Sequence, residues 1–317
     1  MNNLKKIGLT ALAGSLVVTS AVAGEMSVSG GASIGLKNTS HTTSGKSWTM
    51  GNQLTFTGSG ELDNGMNVSL SFVLDQDDDT TQTEAKREEN SPFDSHSVTI
   101  SSDSLGTLKF SGEGGDSAQS AIDTTAAGDL WDNGSGFDTP SASEAGNNSM
   151  MYTLPSIVDG VAINASYSPG GTGGPSATAW SIAYTGIEGL TANYAIGETE
   201  TVGSAATHTT MKASYAYGSF TGAYSNTDSE TDASGGDETV TAYALTYTVT
   251  DDISVTYGAE AIETEGQATD EEADKLSVSY TTGGVTLSAT QYNFENVGNS
   301  ASATKTGRWA LGATFAF

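Results

Sequence analysis

The amino-acid sequence predicts an all-β fold: a transmembrane, antiparallel, up-and-down β-barrel of about 16 strands. Three observations carry this. From Met26 onward, segment after segment alternates apolar and polar residues with period two, and none shows a 3.6-residue stripe. The connections alternate in length, seven tight turns interleaving with eight long polar loops. With the apolar parity of each strand turned outward, that face is expected to carry no Asp, Glu, Lys or Arg. Hydrocarbon demands this, since Arg or Lys facing lipid at the midplane costs about 2–4 kcal/mol.

The first segment stands apart from the barrel. "MNNLKK" carries Lys5 and Lys6, and "IGLTALAGSLVVTSAVA" is an apolar run of signal length. Ala21-Val22-Ala23 is a small-x-small cleavage site. The run is short for a membrane-spanning helix and no second one follows. Residues 1–23 are therefore expected to be a signal peptide and residues 24–317 the barrel domain. The absence of cysteine excludes thiol chemistry, cysteine-based zinc sites and a disulfide scaffold. A formal net charge of −27 argues against nucleic acid, whose phosphates need Lys and Arg.

Strands are expected at 26–37, 48–61, 66–75, 95–102, 105–112, 148–154, 160–168, 177–186, 188–197, 208–217, 218–226, 238–249, 252–261, 273–281, 284–294 and 306–317. Outward rows read Met26, Val28, Ile34 and Leu36 in the first strand, and Met66, Val68, Leu70, Phe72 and Leu74 in the third. The tight turns, such as "DNG" at 63–65, "GIEG" and "TGG", use the residues that hairpins require. The long connections fall around 38–47, 76–94, 113–147, 169–176, 198–207, 227–237, 262–272 and 295–304 and are mostly acidic.

One strand breaks parity. In "VTLSATQYNFE", Val285, Leu287 and Ala289 point one way and Tyr292 and Phe294 the other. This reads as a bulge near Gln291, or as a girdle aromatic tilted at the rim. The last strand, "TGRWALGATFAF", sets Trp309, Leu311, Ala313, Phe315 and Phe317 on one parity. It must pair with the first strand, because an open edge in hydrocarbon leaves backbone groups unsatisfied. Trp309, Phe315 and Phe317 are then the expected membrane-interface aromatics.

A signal peptide, sixteen amphipathic strands and a terminal aromatic together resemble the Gram-negative general porins, most nearly the alphaproteobacterial type. "LTFTGSGELDNGMNVSLSF" and "HSVTISSDSLGTLKFSG" are similar to the early hairpins of that family. The resemblance covers essentially the whole mature chain. It implies a diffusion channel in the outer membrane of a Gram-negative bacterium, with short periplasmic turns and long extracellular loops. It further implies contact with lipid and lipopolysaccharide, a homotrimer, and recognition of Phe317 by the barrel-assembly machinery. It also implies that the third long loop folds into the lumen.

That loop, 113–147, holds Glu113, Asp116, Asp123, Asp129, Asp132, Asp138 and Glu144 and no Lys or Arg. Ile122, Leu130, Trp131 and Phe137 could pin it to the inner wall, and "SAQSAIDTTAAGDLW" is expected to include a short helix. The family places bases on the wall facing this loop. Here the inward bases are Lys109, Lys212, Lys275 and Arg308, with Lys37 nearer the outer mouth. Clustered arginines and a "PEFGG"-like stretch are absent. Carboxylate rings favour cations, so a cation-selective diffusion pore for ions and small hydrophilic solutes is the expected function.

Three other readings stand beside it: a channel dedicated to one solute class, a secreted calcium-binding β-sandwich or adhesin, and a structural barrel with an occluded lumen. The run "DQDDD" offers Asp75, Asp77 and Asp79 as oxygen ligands for calcium, without EF-hand spacing. No other cofactor is implied. No catalytic constellation stands out. His41, His96 and His208 fall in or beside loops, no strand-to-helix nucleophile elbow occurs, and no P-loop lysine follows "GEGGDSAQ".

Overall fold

The computed structural model describes residues 24–38, 45–75, 93–122, 125–128, 130–133, 136–144, 147–170, 174–232, 236–303 and 305–317. Its strands, in chain order, are β1 (Glu25–Asn38), β2 (Lys46–Glu61), β3 (Asn67–Asp75), β4 (Phe93–Ser102), β5 (Gly106–Glu113), β6 (Ser149–Thr153), β7 (Val161–Ser168) and β8 (Ser176–Tyr184). There follow β9 (Leu190–Thr201), β10 (Ser204–Tyr217), β11 (Phe220–Thr231), β12 (Glu238–Thr250), β13 (Ile253–Thr264), β14 (Glu271–Thr282), β15 (Val285–Glu295) and β16 (Thr306–Ala316). Each pairs with its sequence neighbours, and β1 pairs antiparallel with β16, so the sheet closes into a barrel.

Alternation explains why the ring forms this way. Successive side chains of a strand point to opposite faces, and the apolar parity points outward all round. Val28 is 56% exposed and Leu245 51%, with Met211, Tyr224, Leu276 and Leu311 similarly open. A girdle of exposed large apolar groups on every side suits lipid rather than water. Among the described residues no helix is long and apolar enough to cross a membrane, so the strands do the crossing.

The seam between β1 and β16 runs from Gly31–Ala316 to Lys37–Ala310, and Gly30 with Phe317 closes one end of it. Gly30 N–H donates to the Phe317 carbonyl at 2.8 Å, and Phe317 N–H donates to the Gly30 carbonyl at 3.0 Å. A Cβ on Gly30 would lie 2.6 Å from the Phe317 ring, so only glycine lets that ring fold over the strand. At the other end, the Asn38 side-chain oxygen accepts from Trp309 N–H at 2.7 Å, and its amide donates to the Gly307 carbonyl. Lys46 stands 5.8 Å above the Trp309 ring.

Several expectations are corrected. The long loop at 198–207 does not exist. β9 and β10 run on to Thr201 and Ser204 and turn through Val202-Gly203, with Gly203 at φ 85°. Beyond the apolar band the outward face of a strand meets water instead of lipid, so the hydropathy alternation fades while threonine-rich strand continues. For the same reason the outward parity is not free of charge: Glu198, Glu200, Asp228, Glu230, Glu272 and Asp274 share it with Tyr194, Tyr224 and Leu276, farther out along the strands. No bulge lies near Gln291, because β15 keeps unbroken register with both neighbours. Nor is Phe294 a rim aromatic: it points inward and is 1% exposed. The short helix expected in the third loop is a 3-10 turn, Ser120–Ile122, and a second such turn follows at Trp131–Asn133. The closed up-and-down barrel also excludes the β-sandwich alternative.

Candidate functional site

The loop joining β5 to β6 lies inside the barrel, and its path can be followed by its partners on the inner wall. On the way in, Ala118 N–H donates to Ser166 Oγ of β7 at 2.8 Å. The Gln119 amide donates to Thr210 of β10 at 2.8 Å, and Ala126 N–H to Ser225 of β11 at 2.7 Å. Lys212 donates to the Thr125 carbonyl at 3.1 Å and Lys275 to the Gly128 carbonyl at 2.8 Å. On the way back, Asp138 N–H donates to Glu271 of β14 at 2.7 Å, Ser141 N–H to Glu238 of β12 at 2.9 Å, and Glu144 N–H to Thr199 of β9 at 2.8 Å.

Between these legs the loop is held by an apolar cluster inside the lumen. Leu130 (0% exposed) and Phe137 pack with Val240, Ile262, Ala273 and Phe294. The Phe137 and Phe294 rings sit 5.6 Å apart at 59°, a tilted aromatic contact. This accounts for the odd parity of Tyr292 and Phe294: they face inward because the loop gives them an apolar partner there. Burying each such side chain is worth about 1.5–3 kcal/mol. Gly258 is part of the fit, since a Cβ there would come within 3.3 Å of the Ala127 Cβ.

Polar groups tie the legs to one another. Gln119 is fully buried; its oxygen accepts from Ser143 N–H at 2.8 Å and from Ser143 Oγ at 3.0 Å, and Ser143 meets Ser117 at 2.6 Å. Glu271, 0% exposed, also accepts from Gly298 N–H in the β15–β16 loop, so one carboxylate joins the inward loop to the β15–β16 loop. Gln119, Glu238 and Glu271 are the residues that composition did not single out. They are isolated polar positions in loops or strand ends, and only the fold shows what they bind.

Of the acids expected in the loop, Asp116, Asp138 and Glu144 are exposed, and Glu113 at its root faces His96 at 4.0 Å. Asp123, Asp129 and the Asp132 side chain lie outside the described residues. The four wall bases do not form one group. Lys212 and Lys275 are beneath the loop, bonded to its carbonyls, whereas Lys109 on β5 and Arg308 on β16 lie on the part of the wall that the loop leaves bare. Lys37, on β1, is on the same side, where it lines one recess together with the loop's Asn133. His208 is not in a loop but buried on the inner face of β10, with Nδ1 2.9 Å from Ser229 Oγ, and His41 lies outside the described residues. Asp75 ends β3, while Asp77 and Asp79 lie outside the described residues; no metal-holding cluster occurs among the described residues.

The same architecture recurs in solved structures. In-vitro folded OmpT, an outer membrane protein of Vibrio cholerae, is 15% identical and aligns with a TM-score of 0.69 over 95% of this chain and 100% of its own. An anion-selective porin from Comamonas acidovorans is 16% identical, with a TM-score of 0.66 over 93% and 100%. A Rh. blastica porin mutant is 14% identical, with a TM-score of 0.67 over 92% and 100%. At these identities the likeness is one of fold. No curated protein matches the chain. The model of the family described as Gram-negative porin matches residues 8–292. With that match spanning most of the sequence, the chain belongs to the Gram-negative porin family.

Proposed function

We propose that this outer-membrane porin channel favours cations over anions while passing small hydrophilic solutes. The channel itself, its place in the outer membrane and its lack of enzymatic chemistry follow from the family and the closed barrel. A sixteen-stranded ring is too wide for side chains to fill and leaves an aqueous lumen. The sign of its selectivity rests on one observation. The loop whose sequence holds seven acids and no base runs along the inner wall where it is described, with Asp116, Asp138 and Glu144 exposed, and two of the wall lysines bond its carbonyls. Fixed carboxylates between low-dielectric walls raise the local cation concentration. The Comamonas protein is anion-selective on the same fold, so the barrel alone does not set the sign.

The test is the reversal potential across a planar bilayer under a potassium chloride gradient. A potential of the sign set by potassium is expected; one set by chloride overturns the selectivity. On the same reading, residues 1–23 are removed near Ala23 on export, Trp309, Phe315 and Phe317 sit at the membrane interfaces among lipid and lipopolysaccharide, and Phe317 is read by the assembly machinery. The barrel assembles as a homotrimer, as the trimer form of OmpT supports. Sedimentation of the detergent-solubilised protein tests that assembly.

A further inference from the structure

We infer that the bare wall beside the β1–β16 seam holds a recess for a monosaccharide-sized polyol, with acid sugars preferred; this rests on the channel reading above. Inward rows cross the seam in register. One row runs Ser288, Gly312, Gly35, Thr49, and the next runs Thr290, Ala310, Lys37, Ser47. The middle of the first row is two glycines and the second has alanine beside them. The wall is therefore hollow there, between hydroxyl side chains on both flanks. A Cβ on Gly312 would come within 2.7 Å of Ser288 Oγ, and one on Gly35 would strike Thr49 Oγ1, so both hydroxyls lean over the floor. Asn133, from the second 3-10 turn of the loop, closes the far side, and the space between is about 250 Å³. That is below the roughly 300–1,000 Å³ of pockets for drug-sized ligands and suits a single sugar ring.

The chemistry of the lining points to the class of solute. Ser and Thr hydroxyls both donate and accept, as do the hydroxyls of a polyol. Tyr292 borders the recess and is held with its ring near-parallel to Phe294, at 14° and 6.3 Å, so a flat face is fixed at the rim. Lys37 is at the same rim, and Arg308 stands opposite Tyr292 in the row beyond. No carboxylate lines the recess among the described residues. Hydroxyls below and two cations above match a sugar that carries a carboxylate. In a pore whose loop repels anions, such a recess gives acid sugars a place to pause on the opposite wall.

The experiment measures block of potassium current through the refolded mature chain by glucuronate, by glucose and by a polyethylene glycol of matched radius. Glucuronate is expected to block saturably, glucose to need about tenfold more, and the glycol to act through viscosity alone; each tenfold corresponds to about 1.4 kcal/mol. Ala310→Leu fills the floor and is expected to raise both sugar half-block concentrations at least about tenfold. Lys37→Gln is expected to erase the preference for the acid while glucose block persists. If both sugars lower the current only as the glycol does, or if Ala310→Leu leaves their block unchanged, the recess is overturned. A protein that conducts no ions overturns the channel reading instead.

Discussion

The inner wall of this barrel has two halves that obey different rules. From β7 to β14, and at Phe294 of β15, the loop covers inward side chains and buries them: Ser225, Thr227, Val240, Ala242, Ile262 and Phe294 have almost no exposed surface. From β16 through β1 to β5 most inward side chains meet the lumen; they are chiefly Ser, Thr and Gly, with Ala310, Gln53, Val73, the acid Asp75 and a few bases among them. The strands are built alike, so the difference comes from what lies opposite. Under the loop an inward position can be apolar; facing water it cannot without cost. Charges also differ in role. Lys212 and Lys275 hold backbone carbonyls, whereas Lys109, Lys37 and Arg308 are on the inward parity of the other half.

Breaking the covered half should have the largest effects. Phe294→Ala removes the ring that seats Phe137 and Leu130; large-to-small changes in such clusters cost about 3–5 kcal/mol. Single-channel recordings should show raised conductance and flicker, while heat-modifiable gel mobility still reports a closed barrel. Glu271→Ala comes next. It leaves the Asp138 and Gly298 N–H groups without their acceptor, about 1–3 kcal/mol for each buried group. The same noise should appear, and Glu271→Gln, which keeps an accepting oxygen, should restore part of the quiet state.

Smaller changes sharpen the contrast between the halves. Lys275→Met removes a hydrogen bond to the Gly128 carbonyl worth about 1 kcal/mol at a part-buried site. It should add noise as well as shift the reversal potential toward potassium. Lys109→Gln on the bare half should shift the reversal potential in the same direction and add no noise. Equal noise from the two would erase the distinction between a base that positions and a base that faces solute.

The barrel was legible because lipid imposes a simple rule on one parity. Strand number, closure and the pairing of Trp309–Phe317 with the first strand all follow from that rule. It failed where the rule stops. Glu198, Glu200 and Asp274 are strand residues beyond the apolar band, where the outward face meets water and alternation carries no information. It failed also at Phe294. An inward aromatic contradicts a water-filled lumen unless a partner covers it, and that partner, Phe137, lies more than a hundred residues away in sequence. The acidity of the loop could be read directly, but not its anchors. Gln119 and Glu271 act through backbone and hydroxyl partners that only the closed ring brings near.

The central claim is that the loop lies against the β7–β15 wall, and a disulfide tests it most directly. The chain has no cysteine of its own. Ala127→Cys with Gly258→Cys would place two Cβ atoms about 3.3 Å apart, close to the roughly 3.5–4.5 Å of natural disulfides. Mild oxidation of the folded barrel should cross-link this pair nearly completely, while Ala127→Cys with Ala310→Cys, on the bare half, should stay reduced. A folded barrel in which the first pair stays reduced, or in which both pairs cross-link equally, would contradict the account.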